Sequence, residues 1–343
     1  MENPSDDSTD GGESKRKRGK TIQQYPTSTD DDCYSVHFAA SMPEIVAEIL
    51  IRLPVKTLLQ FRCVCRSWRT LISDPIFVKM HLRASTEYEY SANHRLIMSS
   101  ALPRFDVKSC SLSSVLHEES PTTYTLDYPL KHPDRSVRIV GSVNGLVCIA
   151  IDEAVVFLWN PSTRKSKRLP HCGVTKRQLR YGFGYDEGIA DDYKVVVVVG
   201  KEGSYDEITE VKMYGLKSDS WRKIGDFPKA IPLQNASVMF VSGSLHWASA
   251  SEKLGKSIVS LNLSKETYSE ISLPCYGQGV SVSMVGVLSG CLSLLCNIGV
   301  IKADLWMMKE YGKVDSWSKL FSIPYLHDPE YFQYSTLVFF KEK

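Results

Sequence analysis

The densest set of chemically versatile side chains lies in residues 61–72, FRCVCRSWRTLI, which hold two cysteines, one tryptophan and three arginines. Such a set could form a thiol or metal site, a basic helix for nucleic acid, or a packed helix. On a helix, Cys63 and Cys65 lie about 200° apart around the axis, so they cannot share a metal ion or a disulfide. The apolar members fall on a single stripe, which predicts one packed helix over about 61–72: Phe61, Val64, Cys65, Trp68, Leu71 and Ile72.

Other candidates for chemistry are weaker. The sequence has no HExxH, GxSxG, Walker or CxxC motif. The segment YGFGY, residues 181–185, has a GxG pattern without a third glycine, and we predict a tight loop between strands. The remaining candidates are predicted to be structural: Cys291 and Cys296 in the core, His246 packed or at a rim, and Asp191-Asp192 in a turn. We therefore expect no catalytic residues, no metal site and no cofactor.

Charge and hydropathy exclude further classes of protein. The sequence has 41 basic and 39 acidic side chains, which leave a formal net charge of +2. This near balance argues against a protein that binds nucleic acid or an anionic membrane mainly by electrostatic attraction. The sequence has no apolar run of membrane-spanning length and no signal-peptide core. Nine cysteines without paired spacing fit a reducing compartment. We expect the chain in the cytoplasm, in the nucleus or in both.

The chain begins with a polar segment, residues 1–36, which is rich in Ser, Thr, Asp and Gly and predicted to be a disordered tail. Within it, the basic run KRKR at 15–18 is either a nuclear-import signal or a solubilising stretch.

A helical pattern extends from 41 to about 82. Ser41 and Glu44 have the spacing of a capping box, and an apolar face follows as far as Pro54. A short helix over 55–60 and the helix at 61–72 come next, and Ser73-Asp74-Pro75 is predicted to end the third helix. Three short helices have more apolar surface than they can bury among themselves, so a partner surface is expected to complete their core.

After about residue 95 the pattern changes to short strands, which favours antiparallel β-structure without helices. Examples are residues 155–159, 194–199, 238–241, 258–263 and 337–340. An apolar strand, a polar turn, a second strand and a proline recur four times, and the prolines stand at 170, 228, 274 and 324. A period near 50 predicts a β-propeller, with a β-sandwich as the alternative.

The helical residues resemble a known family. Residues 42–59, MPEIVAEILIRLPVKTLL, and residues 61–77, FRCVCRSWRTLISDPIF, resemble the two halves of an F-box. The segments GSVNGLV (141–147), LWNPST (158–163) and YGFGYD (181–186) are similar to the plant-type F-box-associated domain, a kelch-like repeat domain. The predicted chain is α+β and multidomain. Composition gives the disordered tail at 1–36, and the resemblance implies a three-helix F-box at 41–82 and an all-β kelch-like propeller, possibly incomplete, at 95–343.

In that family the F-box binds the SKP-class adaptor, which connects it to the cullin and RING subunits of an SCF ubiquitin ligase, and the repeats choose a protein target. The resemblance places eight residues at the adaptor interface or in the packing beneath it: Pro43, Ile49, Leu53, Pro54, Leu58, Val64, Cys65 and Trp68. It assigns no residue to the target, whose identity stays unknown.

Two questions stay open at the level of sequence. A closed propeller of about six blades would need more residues than follow the F-box, so the barrel is open, its first blade is completed irregularly by residues 95–140, or the product is truncated. Two alternative functions also stay open. One is an adaptor-binding scaffold that acts without ubiquitin transfer, and the other is a propeller enzyme or small-ligand receptor.

Overall fold

The computed structural model describes residues 43–87, 94–101, 104–174, 179–188, 190–200, 208–228, 238–251, 255–274, 280–299, 302–324 and 338–341. The chain has two compact units, Met1–Glu48 and Ile49–Lys343. Three predictions lie outside the described residues: the disordered tail, the basic run at 15–18 and the capping contribution of Ser41.

Among the described residues, four helices precede the sheets: α1 (Pro43–Leu50), α2 (Val55–Phe61), α3 (Arg66–Ser73) and α4 (Pro75–Glu87). The predicted single helix over 61–72 is wrong, because the chain turns at 62–64 and restarts at Arg66. Cys65 causes the restart. Its backbone is extended, and its Sγ accepts a hydrogen bond from the Trp68 backbone N–H at 3.5 Å. The thiol thus takes the N-cap role that Ser, Thr or Asp fills in most helices.

The prediction of three helices is also wrong, because α4 follows α3 almost immediately. Asp74 ends α3 as predicted, but its Oδ1 also accepts a hydrogen bond from the Ile76 N–H at 2.6 Å. Pro75 then occupies the first helical position, where its missing N–H costs nothing. One Asp-Pro pair therefore ends one helix and begins the next.

In the part of the chain that the structure describes, twenty strands follow, all paired antiparallel: β1 (His94–Ser100), β2 (Asp106–Ser111), β3 (Tyr124–Thr125), β4 (Val137–Val143), β5 (Leu146–Ile151), β6 (Val155–Asn160), β7 (Lys165–Arg168), β8 (Leu179–Asp186), β9 (Asp192–Gly200), β10 (Ile208–Gly215), β11 (Ser220–Lys223), β12 (Met239–Val241), β13 (Ser244–Ser251), β14 (Gly255–Asn262), β15 (Tyr268–Ser272), β16 (Val280–Leu288), β17 (Cys291–Ile298), β18 (Lys302–Met308), β19 (Trp317–Pro324) and β20 (Val338–Lys341). A short helix, α5 (Leu112–His117), lies between β2 and β3, so the expectation of a helix-free β region is wrong. A 3₁₀ turn, Val314–Ser316, precedes β19.

These strands form five four-stranded sheets, which we call blades I to V. Blade I has the order β20-β1-β2-β3, and blades II to V take β4–β7, β8–β11, β12–β15 and β16–β19 in sequence. The first strands of the blades approach one another and form the inner ring. The molecule is a five-bladed propeller, so the predicted architecture is confirmed and the estimate of about six blades is wrong.

The predicted repeat is the outer half of each blade. In blades II to V the third strand, a turn and the fourth strand recur, and the prolines predicted as markers follow or end the fourth strand. Blade I differs, because its inner strand β20 comes from the far end of the sequence and pairs with β1, joining Ile97 to Val338. The alternative of an open barrel is therefore wrong, and a distant strand completes the first blade.

The core lies between the blades. In β9, Val195, Val197 and Val199 pack into the cluster between blades II and III, whereas Val196 and Val198 pack into the cluster between blades III and IV. Both faces of the sheet are buried, which explains the uninterrupted valine run of a central strand.

Candidate protein-docking site

The structure separates the eight predicted site residues by exposure. Ile49 in α1 and Val64 in the turn before α3 are 57% and 62% exposed, and Pro54 is exposed at the start of α2. Aliphatic side chains of this size lose favourable burial when they face water, by about 1.5–3 kcal/mol each when fully exposed. Ile49, Pro54 and Val64 are therefore available to a partner.

The other predicted residues contribute partly or wholly to the internal packing of the helices. Leu58 is 4% exposed, so it is core rather than surface. Trp68 is half-buried and contacts the Phe61 ring at a centroid distance of 5.3 Å. Leu53 is half-buried and its carbonyl lies 2.8 Å from His81 Nε2, while Cys65 caps α3. Pro43 begins α1, and its side chain lies outside the described part of the chain.

Sequence reasoning missed a second group of exposed apolar side chains. On α4, Ile76, Val78 and Met80 are 70%, 51% and 48% exposed. They were missed because only three helices were predicted within 41–82 and the third was predicted to end at residues 73–75, so residues 76–80 were assigned to no helix. The Asp-Pro pair at 74–75 was the available signal, since Pro at the first position and Asp before it are typical of a helix start.

On α1, within the first unit, Ile45 is also exposed, at 54%. In the second unit, a separate set of five large apolar residues between positions 49 and 80 is exposed: Ile49, Val64, Ile76, Val78 and Met80. Scattered exposed apolar residues are ordinary, but the five of the second unit fall within 32 consecutive positions, which favours a protein-docking region there.

The comparisons with known proteins agree with this geometry. A family model described as F-box domain matches residues 41–80, and one described as F-box associated beta propeller domain matches residues 100–343. The chain belongs to the F-box proteins with an F-box-associated propeller. The F-box/kelch-repeat protein At3g23880 of Arabidopsis thaliana is 35% identical over 83% of this chain and 80% of its own length. The F-box protein CPR1 of the same plant is 33% identical over 89% of this chain and 78% of its own length.

A solved structure is similar at a lower level. An oligogalacturonate lyase in complex with manganese covers 69% of this F-box protein and 64% of its own chain, with 8% sequence identity and a TM-score of 0.43. That similarity is too low to bear on function.

The propeller's polar groups are used for packing between blades. Lys194 in β9 donates to Asp186 at 2.8 Å and to the Leu263 carbonyl of blade IV at 2.6 Å, and both charged side chains are buried. Burial raises the pKa of Asp186, but the hydrogen bond from Lys194 and further donors outweigh it and leave the pKa below its usual range. The ion pair lies within blade III, and the hydrogen bond from Lys194 to the Leu263 carbonyl connects blade III to blade IV.

The GxG segment has a structural role that differs from the prediction. Residues 181–185 lie inside strand β8 rather than in a loop. A Cβ on Gly184 would lie 2.5 Å from side-chain atoms of both Leu263 and Phe240, and one on Gly182 would lie 2.7 Å from Val238. The glycines therefore let blade IV approach the inner strand of blade III closely.

The groups that suggested chemistry are dispersed. Among the described residues no three His, Cys, Asp or Glu side chains are placed to hold a metal ion. Cys296 is buried in blade V as predicted, Cys291 is half-buried, and Cys63 is exposed at the turn before α3. In the same part of the chain no helix is long and apolar enough to cross a membrane.

Proposed function

We propose that this F-box protein is the substrate-recognition subunit of an SCF-type ubiquitin ligase. Its helical residues would bind an SKP-class adaptor, which would connect the chain to cullin and RING subunits, and its propeller would bind a protein target. The observation that carries the proposal is the group of exposed apolar side chains on helices that the F-box model matches. A partner that covers them removes apolar surface from water, which is the main driving force for association.

The proposed role in ubiquitin transfer is positional. Holding a target close to a charged conjugating enzyme raises the effective concentration of its lysines without any chemical group from this chain. The matched family and the dispersed polar groups support a receptor that contributes binding and leaves the covalent steps to its partners. We place this activity in the cytoplasm, the nucleus or both.

Adaptor binding is tested with exposed positions, so that folding is left intact. We expect Ile49→Asp combined with Val64→Asp to weaken adaptor affinity by at least about a hundredfold, since each charge would be buried unpaired in an apolar interface. Leu116→Asp is the matched control: Leu116 lies on α5 and is 63% exposed, almost the same as Val64. Binding is measured by titrating purified adaptor and following fluorescence anisotropy.

Equal adaptor affinity in the double variant and in the Leu116→Asp control would show that these side chains are not the interface. Co-purification separates the two roles that an adaptor-binding protein can have. Cullin and adaptor together support the ligase subunit, whereas adaptor without cullin supports a scaffold that acts outside ubiquitin transfer.

A further inference from the structure

A cavity of about 400 Å³ lies between blades III and IV, at the end of the sheets where β8 turns into β9 and β10 turns into β11. We call it the blade III–IV cavity. Two of its lining residues, Ala190 and Arg222, are exposed, so the cavity is open to solvent. Its volume falls within the range of roughly 300–1,000 Å³ that is usual for pockets that bind small molecules.

The charges that line the blade III–IV cavity do not cancel. Lys194 donates to Asp186 at 2.8 Å, and Arg222 Nη1 donates to Glu266 at 2.8 Å, so these four side chains form two neutral pairs. Asp192 is the remaining charged residue of the lining. Within the described part of the chain, no cation lies at ion-pair distance from its carboxylate. The lining therefore has one excess negative charge.

Asp192 is buried and has few hydrogen-bond donors around it. The residue is 7% exposed, and both of its carboxylate oxygens accept from one donor, the Lys217 backbone N–H, at 3.1 and 3.3 Å. The Lys217 ammonium donates to the Ala190 carbonyl instead, at 2.7 Å. A carboxylate has about four acceptor sites, and its burial is costly when the charge is unpaired. Acceptor capacity and charge thus remain at a residue that lines the cavity.

Gly215, at the end of β10, keeps space open beside this carboxylate. A Cβ on Gly215 would lie 3.0 Å from Asp192 Oδ2 and 2.9 Å from Ser218 Oγ, which is closer than ordinary van der Waals contact. The backbone of Gly215 does not have the positive φ that would itself favour glycine. The missing side chain therefore matters for space, and a carboxylate oxygen and a hydroxyl oxygen both border that space.

We propose that the blade III–IV cavity binds a cationic nitrogen group, a primary ammonium or a guanidinium, with Asp192 as its counter-ion and the Ser218 hydroxyl as a second acceptor. Such a group has a positive charge and several N–H donors, so it would neutralise Asp192 and use its remaining acceptor sites. A metal ion fits less well, because among the described residues no three His, Cys, Asp or Glu side chains are placed to hold one. The assignment goes beyond the proposed function and does not depend on it.

The structural alternative is that Asp192 only fixes the turn between β10 and β11 through the Lys217 N–H. Asp192→Asn separates the two roles, because the amide oxygen can still accept this N–H whereas the negative charge is removed. The full chain is titrated with propylammonium chloride at constant ionic strength, and binding is followed by the shift in thermal unfolding. We expect saturable stabilisation of the natural protein and at least about a tenfold weaker propylammonium affinity in Asp192→Asn.

Two further variants and a second cation control the experiment. Asp304→Asn should keep the affinity of the natural protein, since Asp304 is a 5% exposed strand carboxylate of blade V that has its own cation, Lys319, at 2.5 Å. Gly215→Ala retains every charge but fills the space beside Asp192, so it should also weaken binding, and it replaces Asp192→Asn if that variant does not fold. Tetramethylammonium has the charge but no N–H donor and should give no saturable shift.

The proposal is overturned by any of three results. These are the absence of a saturable shift in the natural protein, equal propylammonium affinity in the natural protein and in the variants at Asp192 and Gly215, and equal shifts with propylammonium and tetramethylammonium.

A free small amine and a Lys or Arg side chain of another protein share the proposed chemistry, and peptide selection distinguishes them. The natural protein and Asp192→Asn are each offered a randomised ten-residue peptide library. Enrichment of Lys or Arg by the natural protein alone identifies a protein side chain as the ligand. Propylammonium binding without such enrichment identifies a free amine. Equal enrichment of Lys or Arg by Asp192→Asn would contradict the site.

Discussion

A buried histidine at the junction of blades IV and V makes stability depend on pH. His246 lies in β13 and is fully buried. Its Nδ1 lies 3.2 Å from the Met239 carbonyl, and its Nε2 lies 2.8 Å from the Tyr311 hydroxyl. The network assigns the neutral imidazole with Nδ1–H donating to the carbonyl and Nε2 accepting from the hydroxyl. The tyrosine ring also meets the imidazole edge-on at 5.6 Å.

Protonation of His246 is opposed by its surroundings. Burial lowers its pKa from 6.5 to about 4, although hydrogen bonds to the Met239 and Ser244 backbone act in the other direction. In the unfolded chain the histidine takes up a proton near pH 6.5, whereas in the folded chain it stays neutral until about pH 4. The stabilisation is therefore fully present above pH 6.5 and is lost as the pH falls from 6.5 towards 4.

The size of the effect follows from the two pKa values. At about 1.4 kcal/mol per pKa unit, full protonation of His246 lowers the free energy of unfolding by at most roughly 3 kcal/mol. By pH 5 the histidine alone should remove about 2 kcal/mol of the free energy of unfolding. This is a large share of the total stability of a typical domain, so it is measurable.

Urea unfolding of the full chain, followed by tryptophan fluorescence at pH 7.5 and at pH 5, tests the reasoning. His246→Gln should be less stable than the natural protein at pH 7.5, but its free energy of unfolding should fall by about 2 kcal/mol less between the two pH values. Other titrating groups act in both proteins and cancel in the comparison. An identical pH dependence in the natural protein and in His246→Gln would show that His246 does not stay neutral in the fold.

Two further predictions concern blade packing. Gly184→Ala should lower the free energy of unfolding by about 1–3 kcal/mol because its new Cβ would overlap two side chains of blade IV, whereas Gly225→Ala, which meets nothing within 4 Å, should change it little. Lys194→Met should cost about 3–5 kcal/mol by leaving Asp186 buried and unpaired, whereas Lys79→Met, at an exposed ion pair with Asp191, should leave stability nearly unchanged. Chemical denaturation of the four variants measures both contrasts, and equal losses within either pair would contradict the packing that we infer.

Much of the propeller could be predicted from the sequence because its signals are local. A strand, a polar turn and a second strand are encoded within about twenty residues, and the structure confirms this unit in blades II to V. Blade I could not be derived in this way. Its inner strand β20 pairs with β1 more than two hundred residues away, and no local pattern records that pairing.

The role of the YGFGY segment could not be predicted for a similar reason. Its glycines are typical of a turn, and the sequence does not show that Leu263 and Phe240 of the next blade press against Gly184. Close packing between blades removed the space for side chains inside a strand. The local preference of the glycines thus indicates a turn, whereas the packing between blades favours a strand, and the strand is the structure that forms.

The helical residues show where the sequence pattern misleads. A stripe of apolar residues over 61–72 has helical spacing, yet Cys65 caps a new helix and Val64 is exposed in the turn before it. A side-chain cap competes with helix continuation, and hydropathy does not report which of the two prevails.

The break in the predicted helix also explains how these helices offer apolar surface. An uninterrupted helix over 61–72 would place Val64 on the same buried stripe as Ile72, whereas the turn at 62–64 turns Val64 out to 62% exposure. The start of α4 at Pro75 then presents Ile76, which is 70% exposed. Frequent helix ends therefore leave apolar residues outside the core, where a partner can cover them. The cysteines that suggested a reactive site contribute to this geometry, since the thiol of Cys65 sets the position at which α3 begins.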